Sequence, residues 1–181
     1  MEAAGRLLRT ELPSDTRIFL ISGRYEFHNK GIDVFMDALA GVNKALSQSQ
    51  TSILALCTVM GGHSGVNPDA ISGDPAKQSD QGPNWISSHY VYNQPNDPIL
   101  KNCAQLGLDN NPDNPVKFIF IPALLDGNDG FLNMEYSDVM SACDLGVFPS
   151  WYEPWGYTPQ ESAALSVPTV TTDLSGFGHW V

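Results

Sequence analysis

The sequence predicts an α/β fold in which helices cover both faces of a doubly wound parallel sheet. Short runs rich in Val, Ile and Leu alternate along the chain with segments whose apolar residues recur at helical spacing. The runs are apolar at consecutive positions, which is typical of strands that are buried on both faces. The alternation of these two patterns therefore favours a parallel sheet over an antiparallel one.

The predicted elements follow one another without an internal repeat. Strands are predicted at residues 17–22, 52–60, 116–122, 144–149 and 167–172. Helices are predicted at residues 32–46, 98–108, 134–143 and 158–165. Residues 1–16 are polar and predict a helical or irregular lead-in segment, which precedes one domain, residues 17–181. Within that domain, residues 61–98 are rich in Gly, Pro, Asn, Asp and Ser and predict a long polar loop.

The amino-acid composition argues against several kinds of binding partner. The chain has 181 residues, of which 42% are hydrophobic, enough for a domain with its own core. No apolar run approaches the roughly 20 residues that span a bilayer, and a formal net charge of −11 disfavours binding to nucleic acid or anionic membrane. The three cysteines, Cys57, Cys103 and Cys143, lack metal-ligand spacing, and two lie in apolar patterns. We therefore expect no metal site, and reduced thiols in a cytoplasmic protein.

The stretch from Ser150 to Glu161 is expected to hold the functional site. It follows a predicted strand and precedes a predicted helix, so it is a sharp loop at the carboxyl end of the sheet, where ligands bind in such folds. Thr158 is the predicted N-cap, with Pro159 at the first helical position and Glu161 at the third, which forms a capping box. Free amides at this helix start predict a site for an anion.

Three stretches carry a resemblance to a known family: Ser22–Gly31 (SGRYEFHNKG), Glu153–Glu161 (EPWGYTPQE) and Leu174–Gly178 (LSGFG). In this order they resemble the animal and fungal glycogen synthases, which are retaining glycosyltransferases with two Rossmann-like domains, the GT-B fold. The resemblance covers most of residues 17–181 and is weaker between about 61 and 115.

The resemblance implies that the chain is the donor-binding half of such an enzyme. The expected reaction transfers glucose from UDP-glucose to the non-reducing end of an α-1,4-glucan, with retention of configuration and without a metal or other cofactor. It also implies that an N-terminal acceptor domain is missing and that the chain is cut short at its C-terminal end, so that the fragment alone is inactive. It leaves open a homo-oligomeric parent enzyme.

Arg24 and Lys30 are the candidate phosphate ligands. They follow the first predicted strand, and a pair of fixed cations there would stabilise the charge that develops on a leaving diphosphate. On residue types alone, a solvated basic loop is an equal alternative. The resemblance implies that both cations, together with Gly23 of the same loop, bind the donor phosphates.

Glu153 is the candidate catalytic carboxylate. Retaining transfer passes through an oxocarbenium-like state, which a carboxylate beside the anomeric carbon would stabilise. Taken alone, the position of Glu153 before Pro154 favours a turn residue over a catalytic one. The resemblance places the matching Glu beside the donor sugar and leaves open whether it acts as nucleophile or as electrostatic stabiliser.

The remaining candidates contact the nucleotide. Glu161 either caps its helix or, as the resemblance implies, binds the ribose hydroxyls. Thr158 either caps the helix or binds phosphate, and the amides of Gly156, Tyr157 and Thr158 serve the diphosphate in either case. Tyr136 either packs in the core, which is commoner for an aromatic residue there, or stacks on the uracil, as the resemblance implies. Trp155 either stacks on the ligand or packs the loop.

Two alternatives to a UDP-glucose enzyme remain at this level. The chain could belong to another retaining transferase of the same fold that uses ADP-glucose or a different nucleotide sugar. It could also be a non-catalytic module that binds a nucleotide or a glucan. The five residues between Arg24 and Lys30 match the animal and fungal enzymes better than the bacterial ADP-glucose enzymes.

Overall fold

The predicted parallel sheet is confirmed. The computed structural model describes residues 1–72 and 85–181. Its central sheet has five parallel strands in the order β5-β2-β1-β6-β7. These strands are β1 Arg17–Arg24, β2 Ile53–Met60, β5 Val116–Phe120, β6 Leu145–Phe148 and β7 Thr169–Thr171.

The strand order creates one topological switch point. The chain leaves β1 and adds β2 and then β5 on one side, and it returns to place β6 and β7 on the other side. β1 pairs with β2 from Arg17↔Ile53 to Arg24↔Met60, and it pairs with β6 at Phe19↔Leu145. The loops that follow β1 and β6 therefore diverge, and the crevice between them is where open α/β sheets bind ligands.

Helices bury both faces of the sheet, as the consecutive apolar runs predict. One core includes Phe35 and Leu39 of a helix after β1, packed against Ala55 and Phe118 of the sheet. The other core includes Leu7 and Leu8 of the first helix, so the lead-in segment packs against the sheet. The helices are α1 Glu2–Leu8, α2 Ile32–Ala45, α3 Pro68–Ser72, α4 Pro98–Leu106, α5 Tyr136–Ser141, α6 Tyr157–Ala164 and α7 Gly176–Trp180.

The prediction of one long loop over residues 61–98 is wrong for much of its described part. β3 His63–Val66 and β4 His89–Val91 form a small antiparallel sheet, and α3 and a 3₁₀ turn, Gln94–Asn96, lie in the same segment. The remainder of the predicted loop, residues 73–84, lies outside the described residues. These strands have three or four residues and carry polar side chains, so they lack the periodicity that predicts a strand.

Contacts with β5 hold the described part of residues 61–98, called the inserted segment below, against the main sheet. The amide of Ser88 donates to the carbonyl of Phe120 (3.0 Å), and the amide of Phe120 donates to the carbonyl of Ile86 (2.8 Å). The insertion therefore extends the open edge of the sheet at β5, beyond the reach of any local sequence signal.

The cysteines are free and buried, as predicted for Cys57 and Cys143. Burial raises the pKa of the Cys143 thiol to about 12 and raises the pKa of Cys57 as well. Both thiols are therefore protonated side chains of the core at neutral pH. Within the described ranges, no helix is both long enough and apolar enough to span a bilayer.

Candidate active site

A cleft of about 330 Å³ opens at the switch point, between the loops that follow β1 and β6. Most of the candidate site residues line it: Gly23, Arg24, Lys30, Tyr136, Glu153, Tyr157, Thr158 and Glu161. Gly156 lines a much smaller adjoining cavity, together with Lys30 and Glu153. The structure thus brings together residues that are as far apart in sequence as Gly23 and Glu161.

Trp155 lies outside the lining of this cleft. Its indole packs edge-to-face against Phe177 (ring centroids 6.1 Å apart) and near Trp180, and its Nε1 donates to Gln160 Oε1. Of the two roles that the sequence left open for Trp155, this arrangement supports packing of the loop.

The loop between β1 and α2 carries Lys30 into the cleft. Gly31 has a positive φ of 65° and forms the N-cap of α2, and a Cβ at this position would collide with the carbonyl of Pro149. The glycine therefore lets the loop pack directly on the end of β6. A hydrogen bond from the amide of Trp151 to the carbonyl of Asn29 (2.9 Å) joins the two loops.

Lys30 and Glu153 form an ion pair at the base of the cleft. The Nζ of Lys30 donates to Oε2 of Glu153, and the two side chains are only 12% and 17% exposed. A pair this far from solvent is screened weakly by salt. It fixes the ammonium group and the carboxylate relative to each other before any ligand binds.

Arg24 lies at the more open side of the cleft. Its side chain is 69% exposed, and its Nη1 contacts Oε1 of Glu26 at 3.1 Å. The other oxygen of Glu26 accepts a hydrogen bond from Nδ2 of Asn29 (2.8 Å). Glu26 therefore holds one side of the guanidinium group, while most of the Arg24 side chain faces solvent.

The segment Leu174–Gly178 supports the loop that carries Glu153. The amide of Gly176 donates to the carbonyl of Glu153 (3.1 Å), and the amide of Phe177 donates to the carbonyl of Trp155 (2.6 Å). A side chain at Gly176 would collide with the carbonyl of Pro154, so only glycine permits this approach. These contacts hold the backbone of Glu153 beside the last strand.

The predicted helix start at Thr158 is wrong. The N-cap of α6 is Gly156 (φ 100°), Tyr157 is the first helical residue, and no side chain caps the helix. Glycine tolerates a positive φ at little cost, so the chain turns into the helix two residues before the Thr-Pro signal. Thr158 and Glu161 consequently do not form a capping box, and both side chains line the cleft instead.

Tyr136 is held across the floor of the cleft. Its hydroxyl shares a hydrogen bond with Ser22 Oγ at the end of β1 (2.9 Å). Burial and the nearby negative charge of Glu161 raise the pKa of Tyr136 to about 12, although the hydrogen bond with Ser22 acts in the opposite direction. The hydroxyl is therefore protonated at neutral pH.

Sequence reasoning missed part of the cleft wall, namely Ser22, Thr58, Met60 and Leu124. Met60 and Leu124 are 55% and 59% exposed, which is high for apolar side chains. Met60 ends β2, and Leu124 follows shortly after β5, so both stand at the carboxyl edge of the sheet. Listing the last residue of every predicted strand together with the residues just beyond it would have found them.

Comparison with known proteins agrees with these motifs. The family model for glycogen synthase matches residues 10–75 and 75–181. The chain belongs to the glycogen synthase family. It is 30% identical over 223 residues to glycogen [starch] synthase of Neurospora crassa, with 93% of the chain covered. It is 31% identical over 227 residues to glycogen [starch] synthase isoform 2 of Saccharomyces cerevisiae, with 92% covered.

The chain spans 32% of the length of each of these two relatives. Among solved structures, it is similar to WaaG, a glycosyltransferase involved in lipopolysaccharide biosynthesis, with a TM-score of 0.49 and 18% identity. That match covers 99% of the chain and 34% of WaaG. A similarity this low gives no information on the donor or the acceptor that the chain uses.

Proposed function

We propose that the chain is the donor-binding part of a glycogen (starch) synthase, which transfers glucose from UDP-glucose to the non-reducing end of an α-1,4-glucan with retention of configuration. The observation that carries this proposal is the clustering of two cations and two carboxylates in one cleft at the switch point. Membership of the glycogen synthase family supports the choice of reaction.

In this proposal the diphosphate binds against Arg24 and Lys30. Lysine has three donor protons, so Lys30 can keep Glu153 and still donate to a phosphate oxygen. The first amides of α6, at Tyr157 and Thr158, add donors and the positive end of the helix dipole. Together these groups stabilise the charge that builds on the leaving UDP as the glycosidic bond breaks.

Glu153 faces the sugar in the same proposal. Lys30, a proposed phosphate ligand, contacts the carboxylate of Glu153. The carboxylate is therefore assigned to the anomeric carbon, which is joined to the diphosphate. A carboxylate at that point stabilises the positive charge of an oxocarbenium-like state. Glu161 is assigned to the ribose hydroxyls and Tyr136 to the uracil, because both line the same cleft as the proposed phosphate ligands.

The acceptor glucan is assigned to a part of the enzyme that these residues do not include, since the relatives are about three times longer. The proposed chemistry needs no metal ion, because the two cations and the α6 amides supply the positive charge. Among the residues that the structure describes, no cluster of three or more His, Cys, Asp or Glu side chains could hold a metal ion.

Calorimetric titration of the chain with UDP, UDP-glucose and ADP tests the assignment of the donor. We expect UDP to bind more tightly than ADP, and we expect EDTA to leave the affinity unchanged. Lys30→Ala should weaken UDP binding by roughly tenfold or more, as for the loss of a charged hydrogen bond. The matched control is Lys101→Ala on α4, an exposed cation outside the cleft. Tighter binding of ADP, or equal affinities in Lys30→Ala and the wild type, would contradict the proposal.

A further inference from the structure

Tyr25 separates the two charged residues Arg24 and Glu26 but packs on another part of the molecule. Its ring meets Phe120 of β5 edge-to-face, with centroids 5.8 Å apart. A Cβ built at Gly61 would lie 3.2 Å from the Tyr25 ring, so the ring rests on the backbone at the end of β2. The loop that carries Arg24 is therefore anchored on the side of the sheet opposite to β6.

The hydroxyl of Tyr25 ends on a buried carboxylate. It donates to Oδ2 of Asp97 at 2.6 Å, and Asp97 is 7% exposed. The other oxygen of Asp97 accepts from the amide of Leu100 (3.0 Å) and caps α4. Both carboxylate oxygens therefore have a donor, and the loss of either donor would leave a buried oxygen unsatisfied.

This hydrogen bond is of the strong class. A carboxylate acceptor makes it charge-assisted, and its length matches the short distances of such bonds. Burial and the adjacent charge of Asp97 raise the pKa of Tyr25, so the hydroxyl keeps its proton throughout the physiological range. The tether from the loop to α4 therefore does not depend on pH within that range.

Arg24 depends on this tether because little else holds its side chain. The guanidinium group is 69% exposed and is braced by Glu26, a residue of the same short loop. Arg24 is the last residue of β1, where it pairs with Met60, and Tyr25 follows it at once, so movement of Tyr25 is transmitted to the end of the strand. A misplacement of about 1 Å can cost an enzyme about a hundredfold in rate, so small shifts of a charge-stabilising group matter.

We infer that the Tyr25–Asp97 hydrogen bond positions Arg24 for recognition of the donor diphosphate, so that Tyr25 and Asp97 are positioning residues of the site. This inference rests on the proposed function, in which Arg24 binds that diphosphate. It assigns a role to a contact between two residues that do not line the cleft.

The test is a double-mutant cycle on UDP affinity. Tyr25→Phe keeps the ring and removes the hydroxyl, and it should weaken UDP binding about tenfold. If Tyr25 acts through Arg24, the double variant Arg24→Ala/Tyr25→Phe should bind UDP within about twofold of Arg24→Ala. Additive losses, or an unchanged affinity in Tyr25→Phe, would overturn the inference. Tyr90→Phe is the matched control, because Tyr90 is exposed on β4.

Binding of uridine distinguishes a role of Tyr25 in positioning Arg24 from a general loss of structure in Tyr25→Phe. Uridine lacks phosphate, so its affinity, measured by ligand-observed NMR, should be equal in Tyr25→Phe and the wild type. Equal losses for uridine and UDP would show a merely structural role. If Tyr25→Phe does not fold, Asp97→Asn is the second variant. It keeps a cap oxygen for Leu100 and replaces the charge-assisted bond to Tyr25 by a weaker neutral one, so the same pattern with a smaller loss of UDP affinity is expected.

The results that would contradict this inference differ from those that would contradict the proposed function. If Arg24→Ala weakens UDP binding but Tyr25→Phe does not, only the positioning role is lost. If Arg24→Ala has no effect, the phosphate site itself is wrong. A measurement without ligand tests whether the tether holds the loop in place. The amides of Lys30 and Gly31 form hydrogen bonds within the loop, so their hydrogen exchange should be faster in Tyr25→Phe than in the wild type. Unchanged exchange at both amides would overturn the tether.

Discussion

Lys30 and Glu153 meet in an ion pair although 123 residues separate them in the sequence. The contact crosses the switch point, since Lys30 precedes α2 and Glu153 follows β6. It therefore ties together the two loops whose divergence opens the cleft. In the proposed function the same two side chains serve the phosphate and the sugar, so stability and ligand binding depend on one contact.

The first prediction concerns the stability of this pair. Lys30→Met keeps the aliphatic stem and leaves the carboxylate of Glu153 poorly solvated and unpaired, so it should lower the free energy of unfolding by about 3 kcal/mol. The double variant Lys30→Met/Glu153→Gln removes both charges and should recover at least half of that loss. Urea unfolding of the wild type, the single variants and the double variant measures both values. A single variant as stable as the wild type would show that the pair contributes nothing.

The second prediction concerns Glu161. Because α6 begins at Gly156 and has no side-chain cap, Glu161→Gln should leave the melting temperature nearly unchanged. Loss of a charged acceptor for the ribose hydroxyls should weaken UDP binding about tenfold. Titration with 2′,3′-dideoxy-UDP gives the control, because a ligand without these hydroxyls should bind both proteins equally. If the substitution weakened both ligands by the same factor, Glu161 would not be the ribose ligand.

The third prediction concerns acid stability and His89. His89 is 3% exposed, and its ring nitrogens contact Ser88 Oγ (2.8 Å) and the carbonyl of Asp129 (3.0 Å). Burial, aided by the adjacent ring of His63, lowers the pKa of His89, whereas the contacts with Asp129 act in the opposite direction. Below the unfolded pKa of about 6.5, the unfolded chain therefore takes up this proton more readily than the folded chain.

Stability contributed by neutral His89 is thus present above about pH 6.5 and is lost as the pH falls toward the lower pKa of the folded state. The wild type should lose more stability between pH 7 and pH 5 than His89→Asn does, measured as urea midpoints. His28→Asn is the control, since the His28 side chain is 81% exposed and is paired with Asp33. Parallel pH profiles for the wild type and His89→Asn would contradict the assignment.

Much of the fold and of the cleft could be predicted because both follow from rules that act at strand ends. Consecutive apolar residues, as in β2, predict burial on both faces, and burial on both faces predicts a parallel sheet. Parallel strands end at one edge, so residues such as Arg24 and Glu153, which follow different strands, were expected to meet. The position of each loop predicted that Lys30 and Glu153 lie at the same edge of the sheet, but it did not predict their ion pair.

The start of α6 could not be predicted from local signals. Thr158, Pro159 and Glu161 form a complete capping pattern, yet the backbone at Gly156 begins the helix earlier. The chain after β7 holds this loop, since the amide of Phe177 donates to the carbonyl of Trp155, next to Gly156 (2.6 Å). Tertiary packing overrides the local pattern in this loop.

The inserted sheet was missed for a related reason. β3 and β4 contain few apolar residues, and the burial of His89 depends on Asp129, which lies 40 residues away in sequence. A window of neighbouring residues does not contain that partner. The same holds for Tyr25 and Asp97, whose contact spans 72 residues.

The last prediction is that the 181-residue chain binds UDP but does not elongate glycogen. The cations, both glutamates and the start of α6 stand in one cleft, so the proposed donor contacts can form without any further domain. Transfer also requires an acceptor hydroxyl held beside the anomeric carbon with water excluded, and such positioning supplies much of an enzyme's rate. The exposed rim at Met60, Leu124 and Tyr157 gives no enclosure of that kind, since these side chains are 55%, 59% and 71% exposed. The measurement is incorporation of radiolabelled glucose from UDP-glucose into glycogen, run beside calorimetry with UDP on the same preparation. Label in the glycogen would show that this chain also holds the acceptor. The proposal that the donor and the acceptor bind to different parts of the enzyme would then be wrong.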